Sequence, residues 1–311
     1  MNGIINVIKP PGMSSHQVVS HVRRTLKMKR IGHTGTLDPG AGGLLPLCVG
    51  RATKLVPFMT EYDKSYVAEM TLGISTSTQD ADGETVEIDT ELEISPNELG
   101  TVFSQFLGKI EQIPPMASAV RVGGVRLYEL GRQGISVERK PRQVTIKELH
   151  INKIWPETQH SLRFGSRILF FVCCSKGTYI RTLCHDLGQA LGTYAHMSFL
   201  TRVGVGPFSI ETGITLEELE AKVSQDNYDF ILPMEKALPD FPQVKVAPTM
   251  ERRILNGNAI TPDYLVDVPQ QLMVGDQVLI TAIDGELLAI GEIKYRGQPV
   301  CQPVRVLKEG N

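Results

Sequence analysis

The 311-residue sequence predicts an α+β fold followed by a smaller, mostly β unit. Three observations predict it. Period-two apolar runs and amphipathic helical stretches share roughly the first 230 residues without regular strand–helix alternation, which favours a mixed, largely antiparallel sheet with flanking helices. The stretch LPMEKALPDFPQVKVAP (232–248) carries four prolines and reads as a connector. Beyond it, DQVLITAI, ELLAIGEIKY and CQPVRVL are β-rich and separated by Gly or Pro turns. The boundaries that follow are 1–238 and 239–311.

In chain order, Val18, Val22 and Leu26 recur at helical spacing within QVVSHVRRTLKMKR, with Ser14 or Ser15 as the cap and Arg23, Arg24 and Lys27 off the apolar line. YVAEMTLG (66–73) alternates, so Tyr66, Ala68, Met70 and Leu72 share one face of a strand. ILFFVCC (168–174) is a second strand whose adjacent Cys173 and Cys174 face opposite sides. GTYIRTLCHDLGQALG (177–192) predicts a helix with Ile180, Leu183, Leu187 and Leu191 buried and Arg181 off that stripe. TMERRILNG predicts one short helix before the C-terminal strands.

Composition excludes several classes. The start has no basic segment followed by an apolar stretch, so no secretory signal is expected, and the longest apolar runs are too short to span a bilayer. A cytoplasmic protein is expected. The five cysteines include no C-x-x-C pair and the seven histidines no H-E-x-x-H, which predicts buried reduced thiols and no metal. Charge is segregated. Residues 1–60 carry eight Lys/Arg against Asp38 alone, residues 61–100 eleven Asp/Glu against Lys64, and residues 121–150 seven Lys/Arg against three Glu. Basic faces of this kind suit a polyanion, although solvated faces that cancel in three dimensions would read the same way.

The acid in GHTGTLDPGAGG (32–43) has no second carboxylate in the first sixty residues, which disfavours a metal site. No Lys-Ser or Lys-Thr closes the loop as a phosphate cradle requires. Two readings of Asp38 remain. Asp-Pro is a common turn opener, which the loop alone favours; the other reading is a single catalytic carboxylate, nucleophile or general base. Such a carboxylate needs a cation to keep it ionised, and Arg181 is a candidate.

The sequence resembles the TruB-type tRNA pseudouridine synthases. NVIKPPGMSS (6–15), GHTGTLDPGAGGLLPLCVGRATK (32–54), KSYVAEMTLGISTSTQDADGE (64–84), QIPPMASAVRVGGVRLYELGRQG (112–134), CSKGTYIRTLCHDLG (174–188) and LTRVGVGPF (200–208) match its blocks in order. The resemblance implies a pseudouridine-synthase-like catalytic domain and a PUA-type C-terminal domain. It also implies isomerisation of uridine 55 in the tRNA T-loop, with no cofactor and no obligate protein partner. A monomer is expected. By the matching motifs Asp38 is the essential carboxylate, Tyr66 the active-site aromatic and Arg181 its cationic partner. Attack on C1′, addition to C6 and assistance of glycal formation all stay open for Asp38. His33 would contact the T-loop, and Lys9, Pro10, Lys54 and Leu200 would line the pocket. Arg121, Arg126, Arg132, Arg139, Lys140 and Arg142 would meet phosphates. The chain departs from the family pattern at Gly42, Ala117, Arg121 and Gly131. A guide-RNA-dependent synthase of the dyskerin type and a non-catalytic tRNA-binding chaperone are the rival readings.

Overall fold

The computed structural model describes all residues except 119, 136, 158–160, 268–271 and 309–311. The side chains of Arg126, Tyr128, Arg132, Pro262 and Asp267 also lie outside the described residues, and with them two of the predicted phosphate contacts.

Nine strands form the first sheet: β1 (Gly3–Lys9), β2 (Ile31–His33), β3 (Gly42–Val49), β4 (Lys64–Leu72), β5 (Gly108–Gln112), β6 (Arg142–Trp155), β7 (Arg167–Cys174), β8 (Ala195–Val205) and β9 (Phe208–Ser209). Their order is β1-β3-β8-β4-β7-β6-β5, with β2 on β3 and β9 on β8. Only β3 and β8 run parallel; the other pairings are antiparallel, as the sequence predicts.

Strand alternation decides where the core sits. On β4, Ala68, Met70 and Leu72 are fully buried, and they join Leu99, Val102 and Phe103 of α2 (Pro96–Gln105) and Leu183 and Leu187 of α3 (Ile180–Ala190) in one apolar cluster. Tyr66 continues the same face but is only partly buried, because the sheet opens there. Helix α3 starts three residues later than its periodicity suggests. Gly177 is left-handed (φ 80°) and Tyr179 is extended, so GTY forms the lead-in loop.

Helix α1 (Ser15–Thr25) is capped by Ser14, with Gln17 completing a capping box. It ends at Thr25, before the basic run is complete, because Lys27 adopts φ 52°. Val18 and Val22 are fully buried against Ile5, Val7, Leu45 and Leu47. A further helix, α4 (Leu216–Ser224), adds Leu219 to this cluster.

The second sheet has five strands: β10 (Gln243–Val246), β11 (Leu265–Asp267), β12 (Gln277–Thr281), β13 (Leu287–Tyr295) and β14 (Pro299–Val306), ordered β11-β10-β12-β13-β14. Its Leu279, Leu287, Ile290 and Leu307 share one core with Ile4, Leu44, Leu55 and Met59. The proline-rich connector is packed into the same region. Ala237 and Leu238 are buried, and the Tyr62 hydroxyl donates to the Ala237 carbonyl at 2.8 Å.

One glycine fixes the approach of the loop carrying Asp38. Where β3 crosses β8, Gly43 pairs with Arg202 at φ 103°, and a Cβ there would fall 2.3 Å from the Arg202 carbonyl oxygen. Only glycine permits this spacing.

Candidate active site

The loop 34–41 between β2 and β3 is pinned on both sides of Asp38. Ser15, which does not cap α1, accepts the Leu37 N–H (2.8 Å) and donates to the Leu37 carbonyl (3.1 Å). After the acid, the Pro39 carbonyl accepts from the Gly12 N–H (2.8 Å) and the Lys9 ammonium (3.1 Å). Asp38 therefore projects from a fixed backbone into a cleft of about 820 Å³. Its side chain is 44% exposed and lines that cleft. Burial raises its pKa; Arg181 opposes this, Asp80 adds to it, and the net shift is upward.

Arg181 bridges two acids. One guanidinium nitrogen lies 3.0 Å from Asp38 Oδ2 and the other 3.3 Å from Asp80 Oδ2. It also donates to the Ala117 (2.9 Å) and Thr78 (3.3 Å) carbonyls, so the planar group is held from four sides. Asp80 is fixed in turn by the Thr78 hydroxyl and the Asp82 N–H. Sequence reading paired Arg181 with Asp38 and missed Asp80, which is one acid in an acidic run. The Ala117 contact is made by backbone, so the side-chain departure there leaves it intact.

Across the cleft, Tyr66 of β4 lies in register with Arg202 of β8. Arg202 is 1% exposed; its Nε donates to the Leu44 carbonyl (2.7 Å) and its Nη2 to that of Gly35 (3.1 Å). Both side chains line the cleft, which sets the guanidinium beside the Tyr66 ring. Burial raises the Tyr66 pKa, and Arg202 opposes that rise. Lys64, almost fully buried, lines the same cleft and donates to the Thr60 (2.7 Å) and Tyr62 carbonyls. Burial and the neighbouring Arg202 bring its pKa down to about 8. Neither Arg202 nor Lys64 was singled out from sequence. The signal available was a single arginine inside the apolar strand SFLTRVGV.

Of the sequence-predicted site residues, the cleft brings together Asp38, Tyr66, Arg181 and Leu200. The other four do not line it. Lys9 lies beneath the loop, 1% exposed, and gives its protons to the Pro10, Met13 and Pro39 carbonyls. Burial lowers its pKa to about 8, against the pull of Asp38. Pro10 supplies one of those carbonyls. His33 accepts the Gly35 N–H at Nδ1 (3.3 Å), and burial, then Arg202, then His16 lower its pKa. Lys54 points elsewhere and donates to the Val306 carbonyl of β14 at 2.6 Å, tying the two sheets together. Among the described residues, no three His, Cys, Asp or Glu side chains are grouped to hold a metal ion.

Comparison with known proteins agrees with this geometry. A family model described as TruB family pseudouridylate synthase (N terminal domain) matches residues 23–180, and one described as tRNA pseudouridylate synthase B C-terminal domain matches 181–239. Both stop before the five-stranded sheet. The tRNA pseudouridine synthase B of Alkaliphilus oremlandii is 45% identical over 294 residues, 94% of each chain. That of Bacillus subtilis is 41% identical over 314 residues, 99% of this chain and 98% of the other. Among solved structures, a chain of an H/ACA RNP bound to a substrate RNA containing 2′-deoxyuridine superposes with a TM-score of 0.74 at 27% identity, covering 98% of this chain and 85% of that one. The match spans β1 to the C-terminal sheet, and the chain belongs to the TruB family of pseudouridylate synthases.

Proposed function

We propose that this chain isomerises a uridine of tRNA, position 55 in the T-loop, to pseudouridine. The observation that carries the reading is the Asp38–Arg181 pair, 3.0 Å apart, at the wall of an 820 Å³ cleft that also presents Tyr66. A cleft of several hundred Å³ suits one nucleotide, and chemistry on a stacked base requires that base to be taken out of the helix. Relatives more than 40% identical over nearly the whole chain carry the name tRNA pseudouridine synthase B, which supports tRNA as the substrate.

The residues divide the work as follows. Arg181 holds the Asp38 carboxylate ionised and aimed into the cleft, against the burial that would protonate it. Tyr66 offers its ring to the extruded uracil and its hydroxyl as a proton carrier. Leu200 supplies apolar wall beside it. The glycosidic N1–C1′ bond breaks, the uracil rotates, and C5 bonds to C1′, so composition and oxidation state are unchanged. Exposed Arg121, Lys140 and Arg142 surround a second, smaller cavity with Arg139 and meet backbone phosphates of the T-arm.

The C-terminal sheet is a PUA-type RNA-binding domain of residues 239–311. The protein works as a cytoplasmic monomer without a guide RNA or an obligate protein partner. In support, the identity to the tRNA enzymes (41–45%) exceeds that to the RNP-derived chain (27%). The test is incubation of the purified chain with an unmodified tRNA transcript and nothing else, followed by base-specific mapping. One pseudouridine in the T-loop is expected. Its absence would remove the stand-alone reading.

A further inference from the structure

Arg202 is a buried cation that the pairing of Asp38 with Arg181 does not use. It is 1% exposed, carries two backbone carbonyls, and among the described residues is paired with no carboxylate. An enclosed charge without a counter-ion is costly unless some neighbour becomes negative. The neighbours are few. Tyr66 faces it from β4, in direct register; Lys64 at the start of β4, Lys9 of β1 and His33 of β2 also feel its charge, while Cys174 of β7 and Asp38 of the loop lie near Tyr66. Cys174 is held neutral by burial, its pKa pushed up to about 12. Lys64, Lys9 and His33 are cationic or neutral and cannot supply negative charge, and Asp38 is committed to Arg181. The Tyr66 oxygen is the acceptor left at this corner.

We infer that Arg202 is a positioning residue for the isomerisation, the fixed counter-ion that holds the Tyr66 oxygen in place and available to take the C5 proton of the rotated uracil. The inference rests on the pseudouridine synthase reading. Once C5 is bonded to C1′, C5 is tetrahedral and still bears its hydrogen, and the ring holds an N1=C6 bond. The C5–H bond then breaks, its proton goes to the Tyr66 phenolate oxygen to give the phenol, and its electron pair forms C5=C6. The N1=C6 pair moves to N1, which takes up a proton, so the exchange balances without any co-reactant. The geometry favours Tyr66 as acceptor because the strand register fixes its oxygen beside a guanidinium that Leu44 and Gly35 already hold. Burial alone would keep the phenol protonated, and Arg202 works against that.

The test is a pH–rate profile under single-turnover conditions, with tRNA affinity measured alongside. Arg202→Met is expected to lower the rate about a hundredfold at neutral pH with unchanged Kd, the size of a general-base contribution. Its rate should climb toward alkaline pH beyond the point where the wild type levels off. Arg202→Lys should recover most of the rate and return the profile toward wild type. Replacing Tyr66 with 3-fluorotyrosine, a more acidic phenol, should move the rising limb to lower pH in the wild-type background. Equal losses in Arg202→Met and Arg202→Lys with unshifted profiles would reduce Arg202 to a packing role. An unmoved limb with 3-fluorotyrosine would overturn the inference as well, and it does so even where Arg202→Met does not fold. Failure of the underlying reading is distinct, because the wild type would then make no pseudouridine at all.

Discussion

Asp38 is in tension with its own surroundings. The folded protein holds its proton more tightly than the unfolded chain does, because burial outweighs the help of Arg181. Ionised Asp38 therefore costs stability at neutral pH, and that cost disappears as pH falls through its raised pKa. Two outcomes follow. Asp38→Asn should unfold at a temperature no lower than wild type, measured by calorimetry. Activity should be lost on acidification at a higher pH than an ordinary carboxylate would give. Asp80 holds the other side of Arg181, so Asp80→Ala removes the second of its two carboxylate partners and loosens the aim of the guanidinium at Asp38. The expected loss in single-turnover rate is on the order of a hundredfold, with tRNA affinity retained. At this scale Asp38 and Arg181 stand out as candidates, a lone acid among glycines and an off-stripe arginine, but the loop alone favours a turn and only the family resemblance ranks them with Tyr66. The fold sets the pair 3.0 Å apart and puts Tyr66 in the same cleft. Asp80 was not legible, since one partly buried acid within an acidic run looks like its neighbours until the chain is folded. Lys54 misled for a related reason: its motif position suggested the pocket, whereas its extended side chain reaches a carbonyl of the second sheet.

Elements carry the site through their crossings. The helix and strand periods of α3 and β4 could be read directly, and with them which face of β4 bears Tyr66. What periodicity does not contain is the order of strands. The parallel contact of β3 with β8, across more than 150 residues of chain, puts Gly43 against Arg202 and brings the Asp38 loop over the end of β4. Gly43→Ala tests this crossing. The new Cβ would meet the Arg202 carbonyl at 2.3 Å in a left-handed backbone, and the backbone of β8 has to move. A loss of about 2 kcal/mol or more in denaturant unfolding is expected, because Ala at positive φ adds strain to the clash. Activity should fall with it, since Arg202 moves too. Helix α1 shows the opposite case. Its cap and apolar stripe were readable, but its early end depends on one left-handed lysine that propensity does not single out.

In the whole molecule, the two sheets are joined by a continuous apolar core and by the Lys54–Val306 contact. The proline-rich connector is folded into this seam, because Ala237 and Leu238 bury in the shared core. Leu307, fully buried at the seam, is a direct probe. Leu307→Ala should cost about 2–5 kcal/mol of stability for the whole chain in a single unfolding transition. Two separate transitions would show that the sheets fold independently. The segregated charge acts at the same scale. If exposed Arg142 meets a phosphate, Arg142→Ala should reduce the salt dependence of tRNA binding by about one counter-ion in the log–log slope.

The most direct measurement is single-turnover conversion of an unmodified tRNA transcript by Asp38→Asn, with binding of the same transcript measured in parallel. Asparagine keeps the shape of the side chain and leaves Arg181 held by Asp80, Thr78 and Ala117. The expected result is wild-type affinity with no pseudouridine formed. A variant that binds and converts tRNA at the wild-type rate would contradict the assignment of Asp38 as the reactive carboxylate.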